Sequence, residues 1–236
     1  MQFKLYHLAN SRSQRIVWLF AELDIPYELI ISETNLTNAK KNAKKVVSTK
    51  NNAMKFPTLE IIDKNTTITL TESSAIIEYL CQQQQKLGVN LADEAGLDFC
   101  FYKHYVDASL MPLLALKQVF QQIVVHTPWL VRPMSQLYKF GLNRSYLDPE
   151  LKIQLKQLNR HLESHHWLAG NTFSYADILL WFPLHAAKYA FPRFEQYSAL
   201  IRYLNDLEAR PAFQQSLKIG AWNADQFQYY WSMTRA

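Results

Sequence analysis

The 236-residue sequence predicts an α/β domain built on four strands, followed by an all-α helical bundle. Strand and helix patterns alternate over the first eighty residues in the order βαβ, weak helix, ββ, α. From about residue 93 onward no convincing strand pattern occurs. A polar stretch from Gln82 to Asn90 lies between them and reads as the linker, so the expected domains are 1–82 and 93–236.

Each element has its own signal. Phe3 to Tyr6 reads as a short strand. Ile16, Val17, Leu19, Phe20 and Leu23 recur at helical spacing and predict an amphipathic helix over 12–23. Pro26 ends that region, and Tyr27 to Ile31 forms the second strand. The Lys-rich segment from about 35 to 48 is a weak helix or loop. Thr58 to Ile62 and Thr67 to Leu70 bracket Asp63-Lys64-Asn65-Thr66, a four-residue hairpin turn. Ile76, Ile77 and Leu80 share one face of the next helix. In the second half Leu151, Leu155, Leu158 and Leu162 form one stripe, and Leu200, Ile201, Leu204 and Leu207 another. The run Ile178 to Leu184 is apolar all round, as in a helix buried within a bundle, and Pro183 is expected to bend or shorten it.

Composition narrows the function classes. A hydrophobic fraction of 49% with 5 Gly and 9 Pro excludes disorder and a turn-rich β-sandwich. Two cysteines, Cys81 and Cys100, make no disulfide framework and fit a reducing compartment. The opening Met1-Gln2-Phe3-Lys4-Leu5-Tyr6 reads as a strand rather than a signal peptide, and no apolar run approaches the roughly 18 residues of a membrane span. A soluble, cytoplasmic protein is expected, without a membrane partner. The net charge of +5 owes much to Lys40, Lys41, Lys44, Lys45, Lys50 and Lys55. That segment lacks interleaved aromatic or Arg contacts, so it reads as a solvated face rather than a nucleic-acid site. His161 and His165 are four apart on one helix, but Leu162 stands where a metalloprotease would carry Glu, so no metal is expected.

Three segments carry chemistry. Pro57 in Lys55-Phe56-Pro57-Thr58-Leu59 stands directly before a strand, where its missing N–H is tolerated in either isomer. A cis bond would turn the main chain of Phe56 outward, where an extended peptide could pair with it. Thr71-Glu72-Ser73-Ser74 opens a helix: an N-cap, or a carboxylate site made of N–H groups, a hydroxyl and the positive helix end. Asn10-Ser11-Arg12-Ser13-Gln14-Arg15 precedes the first helix, as a cap or as a hydroxyl donor to a thiolate. Lowering a thiol pKa of about 8.5 by two units needs about 2.7 kcal/mol of preference for the thiolate. One charge-assisted hydrogen bond (about 1.5–3 kcal/mol) and a helix end (about 0.3–1 kcal/mol) supply it.

These segments, in this order, resemble the glutathione transferase family. Tyr6-x4-Ser11-Arg12-Ser13-x-Arg15-Ile16-x-Trp18-Leu19 and Glu22-Leu23-x-Ile25-Pro26-Tyr27-Glu28-Leu29 look like its opening. Phe56-Pro57-Thr58-Leu59 looks like its cis-proline segment, and Thr71-Glu72-Ser73-Ser74-Ala75-Ile76-Ile77-x-Tyr79-Leu80 like its carboxylate segment. Ser174-Tyr175-Ala176-Asp177-Ile178 resembles its late capping box, with Phe173 packing on Ile178 as a staple.

The resemblance runs from about residue 3 to 220 and is nearest to the serine-type bacterial and fungal members. It implies a thioredoxin-like domain with a mixed four-stranded sheet, a cis Pro57, and an enzyme that activates the glutathione thiol for attack on an electrophile. Glutathione is then a co-substrate, with no permanently bound cofactor. Ser11 would be the thiol-activating hydroxyl, with Asn10 and Ser13 as alternatives. Lys55 would reach the glycine carboxylate, Phe56 the cysteinyl backbone, and Glu72 and Ser73 the γ-glutamyl end. Ser109-Leu110-Met111-Pro112-Leu113-Leu114 resembles the second-substrate side, so Tyr105, Leu110, Met111 and Leu114 would meet a hydrophobic electrophile. A two-fold homodimer is also implied. The approach Asn51-Asn52-Ala53-Met54-Lys55 lacks the proline and glycine of the family's Asn-Pro-x-Gly-Lys, which loosens the register at Lys55. Glutathione-dependent reduction of peroxides or disulfides, and a catalytically silent scaffold, are the competing functions.

Overall fold

The computed structural model describes residues 1–32, 55–64 and 66–232. The Lys-rich stretch up to Lys50, the Asn51–Met54 approach to Lys55, and Asn65 lie outside the described residues. The chain forms two compact units, Met1–Gly88 with Leu207–Ala224, and Val89–Asp206 with Asp225–Ala236. Residues 207–224, which the sequence reading placed with the helical half, therefore cluster with the first unit.

In the first unit the strands are β1 (Gln2–Leu8), β2 (Glu28–Ser32), β3 (Thr58–Asp63) and β4 (Thr66–Thr71), ordered β2-β1-β3-β4. β1 is parallel to β2, with Tyr6 opposite Ile30, and antiparallel to β3, with Tyr6 opposite Thr58. The sheet is therefore mixed: a βαβ crossover permits the parallel pair and a tight hairpin the antiparallel one. The β3–β4 ladder closes at Asp63 opposite Thr66, so the turn is tighter than the expected four-residue loop. Lys64 adopts a positive φ of 45° there.

Helix α1 (Gln14–Leu23) buries Ile16, Val17, Trp18, Leu19, Phe20 and Leu23, more than one amphipathic face. The cause is a second covering helix: α9 (Pro211–Ile219) returns to pack on α1, with Phe213 edge-on to Trp18 at 5.0 Å. The docking is fixed by charge as well. Arg210 donates to both carboxylate oxygens of Glu22 at 2.6 and 2.8 Å, and Trp18 Nε1 donates to the same group at 2.9 Å. Bidentate guanidinium–carboxylate pairs are among the stronger polar contacts. Glu22→Ala should cost about 2–3 kcal/mol, read as a lower urea midpoint at unchanged slope.

Among the described residues the second unit has no strand longer than the isolated bridges Trp167–Gly170 and Ala169–Thr172, and is otherwise built of helices and their connections. Helix α2 (Ser73–Gln84) ends the first unit's α/β part, and α3 (Glu94–Tyr105) begins the bundle. Helix α3 continues through a π-helical turn, Val106–Leu110, into α4 (Met111–His126). A second π-helical turn, Asn143–Leu147, joins α5 (Arg132–Leu142) to α6 (Asp148–Ser164). Both wide turns stand just ahead of a proline, Pro112 and Pro149. Proline cannot donate to the preceding turn and clashes with it, and one turn of wider winding relieves both problems. The run Glu94–His126 is long and apolar enough to cross a membrane by length and composition, but Phe99, Tyr102, Val106, Leu110 and Leu114 on it are buried.

Helix α7 (Tyr175–Ala190) is the centre of the bundle and is buried on nearly all sides. It passes through Pro183 without ending there. Asp177 at its first turn accepts from the N–H groups of Leu168 and Ser174, the Ser174 hydroxyl and the Tyr203 hydroxyl, all within 3.0 Å. This is the capping box expected from sequence, extended by Tyr203 of α8 (Ser198–Glu208). Phe173 sets its ring edge-on to Trp167 at 5.1 Å. The aromatic C-terminal helix α10 (Ala224–Trp231) buries Phe227 and Trp231, both against Phe182 of α7.

Candidate functional site

The first unit carries a cleft lined by Arg12, Lys55, Phe56, Pro57, Glu72 and Ser73. Its floor follows from the hairpin. The Phe56–Pro57 bond is cis, and the β1–β3 and β3–β4 ladders begin at Thr58, so Phe56 lies beyond the paired register at the cleft. The Thr58 hydroxyl donates to the Lys55 carbonyl at 2.7 Å and ties the approach segment to the strand.

The opposite wall is the start of α2. Glu72 precedes the helix with φ 68°, a left-handed conformation that side chains other than glycine rarely adopt. Such outliers persist where the surroundings over-determine them, and they gather at ligand sites. The N–H groups in a helix's first turn have no carbonyl partner within the helix and carry the positive end of its dipole. Ser73 adds a hydroxyl, and Arg15, wholly buried on α1, donates to its Oγ from below. Lys55 and Glu72 face each other at 3.9 Å across the mouth, both two-thirds exposed. The cleft thus offers an anion-binding helix end, an exposed carboxylate, and two cations in Lys55 and Arg12.

The sequence-derived hydroxyl candidates separate by burial. Ser13 is completely buried and contacts His7 Nδ1 at 2.7 Å, the Leu8 N–H at 3.1 Å and the Leu8 carbonyl at 2.9 Å. No ligand can touch it in this conformation. Asn10 takes a positive φ of 55°, and its Oδ1 accepts from the Asn223 N–H at 2.8 Å. Ser11 is half-buried, with Oγ 2.8 Å from both the Leu8 carbonyl and Ser13 Oγ. It adjoins Arg12, which lines the cleft, but is not itself among the lining residues. Tyr6, the other hydroxyl of the opening motif, is buried within β1.

The second-substrate candidates fare differently. Leu110 and Leu114 are fully buried. Met111 is nearly buried, and half-buried Tyr105 donates to Gln154 Oε1 at 3.1 Å. Burial pushes the Tyr105 hydroxyl pKa well up, so it stays protonated. Burial also pushes the Cys81 thiol up to about 12, which makes it a packing group rather than a nucleophile. His161 donates to the Leu168 carbonyl at 3.0 Å and stacks on His165.

Arg12 and Arg15 were not singled out from the sequence as site residues. The signal was available for Arg15, a charged residue inside an otherwise apolar helical repeat. Such a residue is rarely buried without a polar task.

Two family descriptions match the chain: Glutathione S-transferase, N-terminal domain, over residues 5–87, and Glutathione S-transferase, C-terminal domain, over residues 143–211. Glutathione S-transferase 3 of Schizosaccharomyces pombe is 30% identical over 210 residues, which cover 88% of this chain and 84% of that protein. A solved glutathione S-transferase from Actinobacillus pleuropneumoniae superposes with a TM-score of 0.72 at 22% identity over 93% of each chain. A glutathione transferase from Pseudomonas putida, solved with one glutathione disulfide bound per subunit, superposes at 0.71 and 19% identity over 92% of this chain and 91% of that one. The two structural likenesses share its fold, a thioredoxin-like α/β unit with a helical one. On the sequence match, which extends through both halves in order, this chain belongs to the glutathione S-transferase family.

Proposed function

We propose that the cleft binds glutathione and that Ser11 holds its sulfur as the thiolate for attack on a hydrophobic electrophile. The observation that carries this reading is the pairing of opposite charges around one cleft. Glutathione has two carboxylates and one ammonium, and each finds a complement. The start of α2 with Ser73, backed by Arg15, suits the γ-glutamyl carboxylate, and Glu72 suits the ammonium. Lys55 and Arg12 suit the glycine carboxylate. Phe56, beyond the ladder, suits main-chain pairing with the cysteinyl residue. A zwitterionic ligand replaces the long Lys55–Glu72 pair with two shorter ones. The Pseudomonas putida glutathione transferase of the same fold was solved with glutathione disulfide bound, which supports glutathione as the ligand.

The rest of the reading follows the family. Residues 1–82 act as the glutathione-binding domain and the helices after residue 93 as the helical domain, except 207–224, which pack with the first unit. Exposed Leu97 and Phe101 on α3 offer apolar surface for a two-fold homodimer. Two free thiols, Cys81 and Cys100, suit a cytoplasmic setting.

Calorimetric titration with glutathione tests the site. Ser73→Ala should weaken binding about tenfold, since one hydrogen bond to a charged group is lost. Lys55→Met should weaken it less, because its ammonium is exposed and screened. Equal affinity in wild type and Ser73→Ala would place the ligand elsewhere. A panel of electrophile and peroxide assays then separates transfer from reduction.

A further inference from the structure

Behind Ser11 the hydrogen bonds continue inward to a buried histidine on β1. His7 has no solvent exposure, and its Nε2 lies 2.9 Å from the Gly220 carbonyl. A carbonyl only accepts, so Nε2 carries the hydrogen and Nδ1 of the neutral ring is an acceptor. The group 2.7 Å from Nδ1 is Ser13 Oγ, which therefore donates to it. Ser13 Oγ in turn accepts the Leu8 N–H at 3.1 Å and lies 2.8 Å from Ser11 Oγ. Each serine has one hydroxyl hydrogen. With that of Ser13 directed at His7, the hydrogen of Ser11 serves Ser13 Oγ or the Leu8 carbonyl. Gly220 secures the inner end, because a Cβ there would meet Gln14 Oε1 at 2.2 Å. Gln14 is itself anchored to the Ser216 carbonyl at 2.8 Å. The result is a continuous wire: His7, Ser13, Ser11.

We propose that His7, a positioning residue that never touches the ligand, accepts the thiol proton of bound glutathione through Ser13 and Ser11. The proposal rests on Ser11 meeting the sulfur. The thiol hydrogen passes to Ser11 Oγ as the Ser11 hydrogen passes to Ser13 Oγ and the Ser13 hydrogen to His7 Nδ1. Each oxygen ends with one hydrogen, sulfur becomes thiolate and the ring imidazolium, and net charge is unchanged. The reversed wire leaves His7 donating to Ser13, Ser13 to Ser11 and Ser11 to the thiolate. In the unreversed wire, a Ser11 hydrogen turned to the ligand leaves the 2.8 Å contact between the two serine oxygens without a hydrogen. Burial holds the ring neutral at rest and disfavours the imidazolium, whereas its bonds to Gly220 and Ser13 favour the protonated form. Once formed, the imidazolium is balanced by the thiolate at the other end of the wire.

Proton counting on the full-length protein tests this. Glutathione is added in weakly buffered solution near neutral pH, thiolate is followed by its ultraviolet absorbance, and released protons by an indicator dye. Wild type should release well under one proton per thiolate formed. His7→Asn keeps an acceptor near the Nδ1 position but cannot hold the proton, so it should release one per thiolate and form less thiolate at equal pH. Ser13→Ala, which cuts the wire in the middle, should behave like His7→Asn and serves if that variant does not fold. One proton per thiolate in wild type, or a release in His7→Asn as low as in wild type, overturns the relay and leaves Ser11 as the thiol partner. Binding with no thiolate signal overturns the reading of Ser11 beneath it.

Discussion

Asp177→Ala should destabilise the protein by about 4 kcal/mol. The carboxylate is completely buried and accepts from four donors, two backbone N–H groups and two hydroxyls. Alanine removes every acceptor at once. Ser174 N–H, Leu168 N–H and the Tyr203 hydroxyl are then left in a place that water cannot reach, and each unsatisfied group costs about 1–3 kcal/mol. Because α7 is the central helix, the loss should appear as a cooperative drop in thermal and urea midpoints rather than local fraying. Asp177→Asn preserves shape but turns one acceptor into a donor facing other donors, so it should recover about half the stability. Glutathione affinity per folded molecule should be unchanged in both variants, since Asp177 lies in the second unit. A loss below about 1 kcal/mol in Asp177→Ala would show that the capping box is incidental.

Ser11→Ala should lower turnover about ten- to a hundredfold near neutral pH while barely weakening glutathione binding. The hydroxyl is proposed to favour the ionised sulfur, and affinity is proposed to come from Phe56, Glu72, Ser73 and Lys55, which line the cleft. Loss of about 1.5–3 kcal/mol of charge-assisted hydrogen bonding corresponds to that range. The sign in pH follows directly. Removing the donor raises the thiol pKa, so the variant has less thiolate at neutral pH and should regain activity as pH rises. Asn10→Ala is the contrasting control, because its side chain already serves the Asn223 N–H. A large loss there with an unchanged pH profile in Ser11→Ala would transfer the role to Asn10.

Most of the first unit's fold was legible because its signals are local. Apolar spacing marked α1, alternation marked the strands, and Asp63 to Thr66 marked the hairpin. The capping box at Ser174 and Asp177 is likewise a short-range device, visible three residues apart. Phe56-Pro57 and Glu72-Ser73 were also legible as two segments of interest, which the fold brings to one cleft; each is contiguous and flanked by a strand or a helix start.

Other properties depend on which segment packs against which, and periodicity does not encode that. Leu110 and Leu114 stand on an apolar stripe in sequence and are fully buried in the structure; spacing reveals that a face is apolar but not what covers it. Residues 207–224 carry an ordinary helical pattern, yet Trp18, Glu22 and Gln14 hold them in the first unit through Phe213, Arg210 and Ser216. That return places the Gly220 carbonyl beneath His7, more than two hundred residues away in sequence. The sequence by itself determined the elements, the family and the contiguous segments that line the cleft, each set by interactions within a few residues. Only the tertiary structure decided that Ser13 is buried, that Arg15 sits under Ser73 and that His7 ends a hydrogen-bonded wire, because burial and partnership arise when distant segments close on one another.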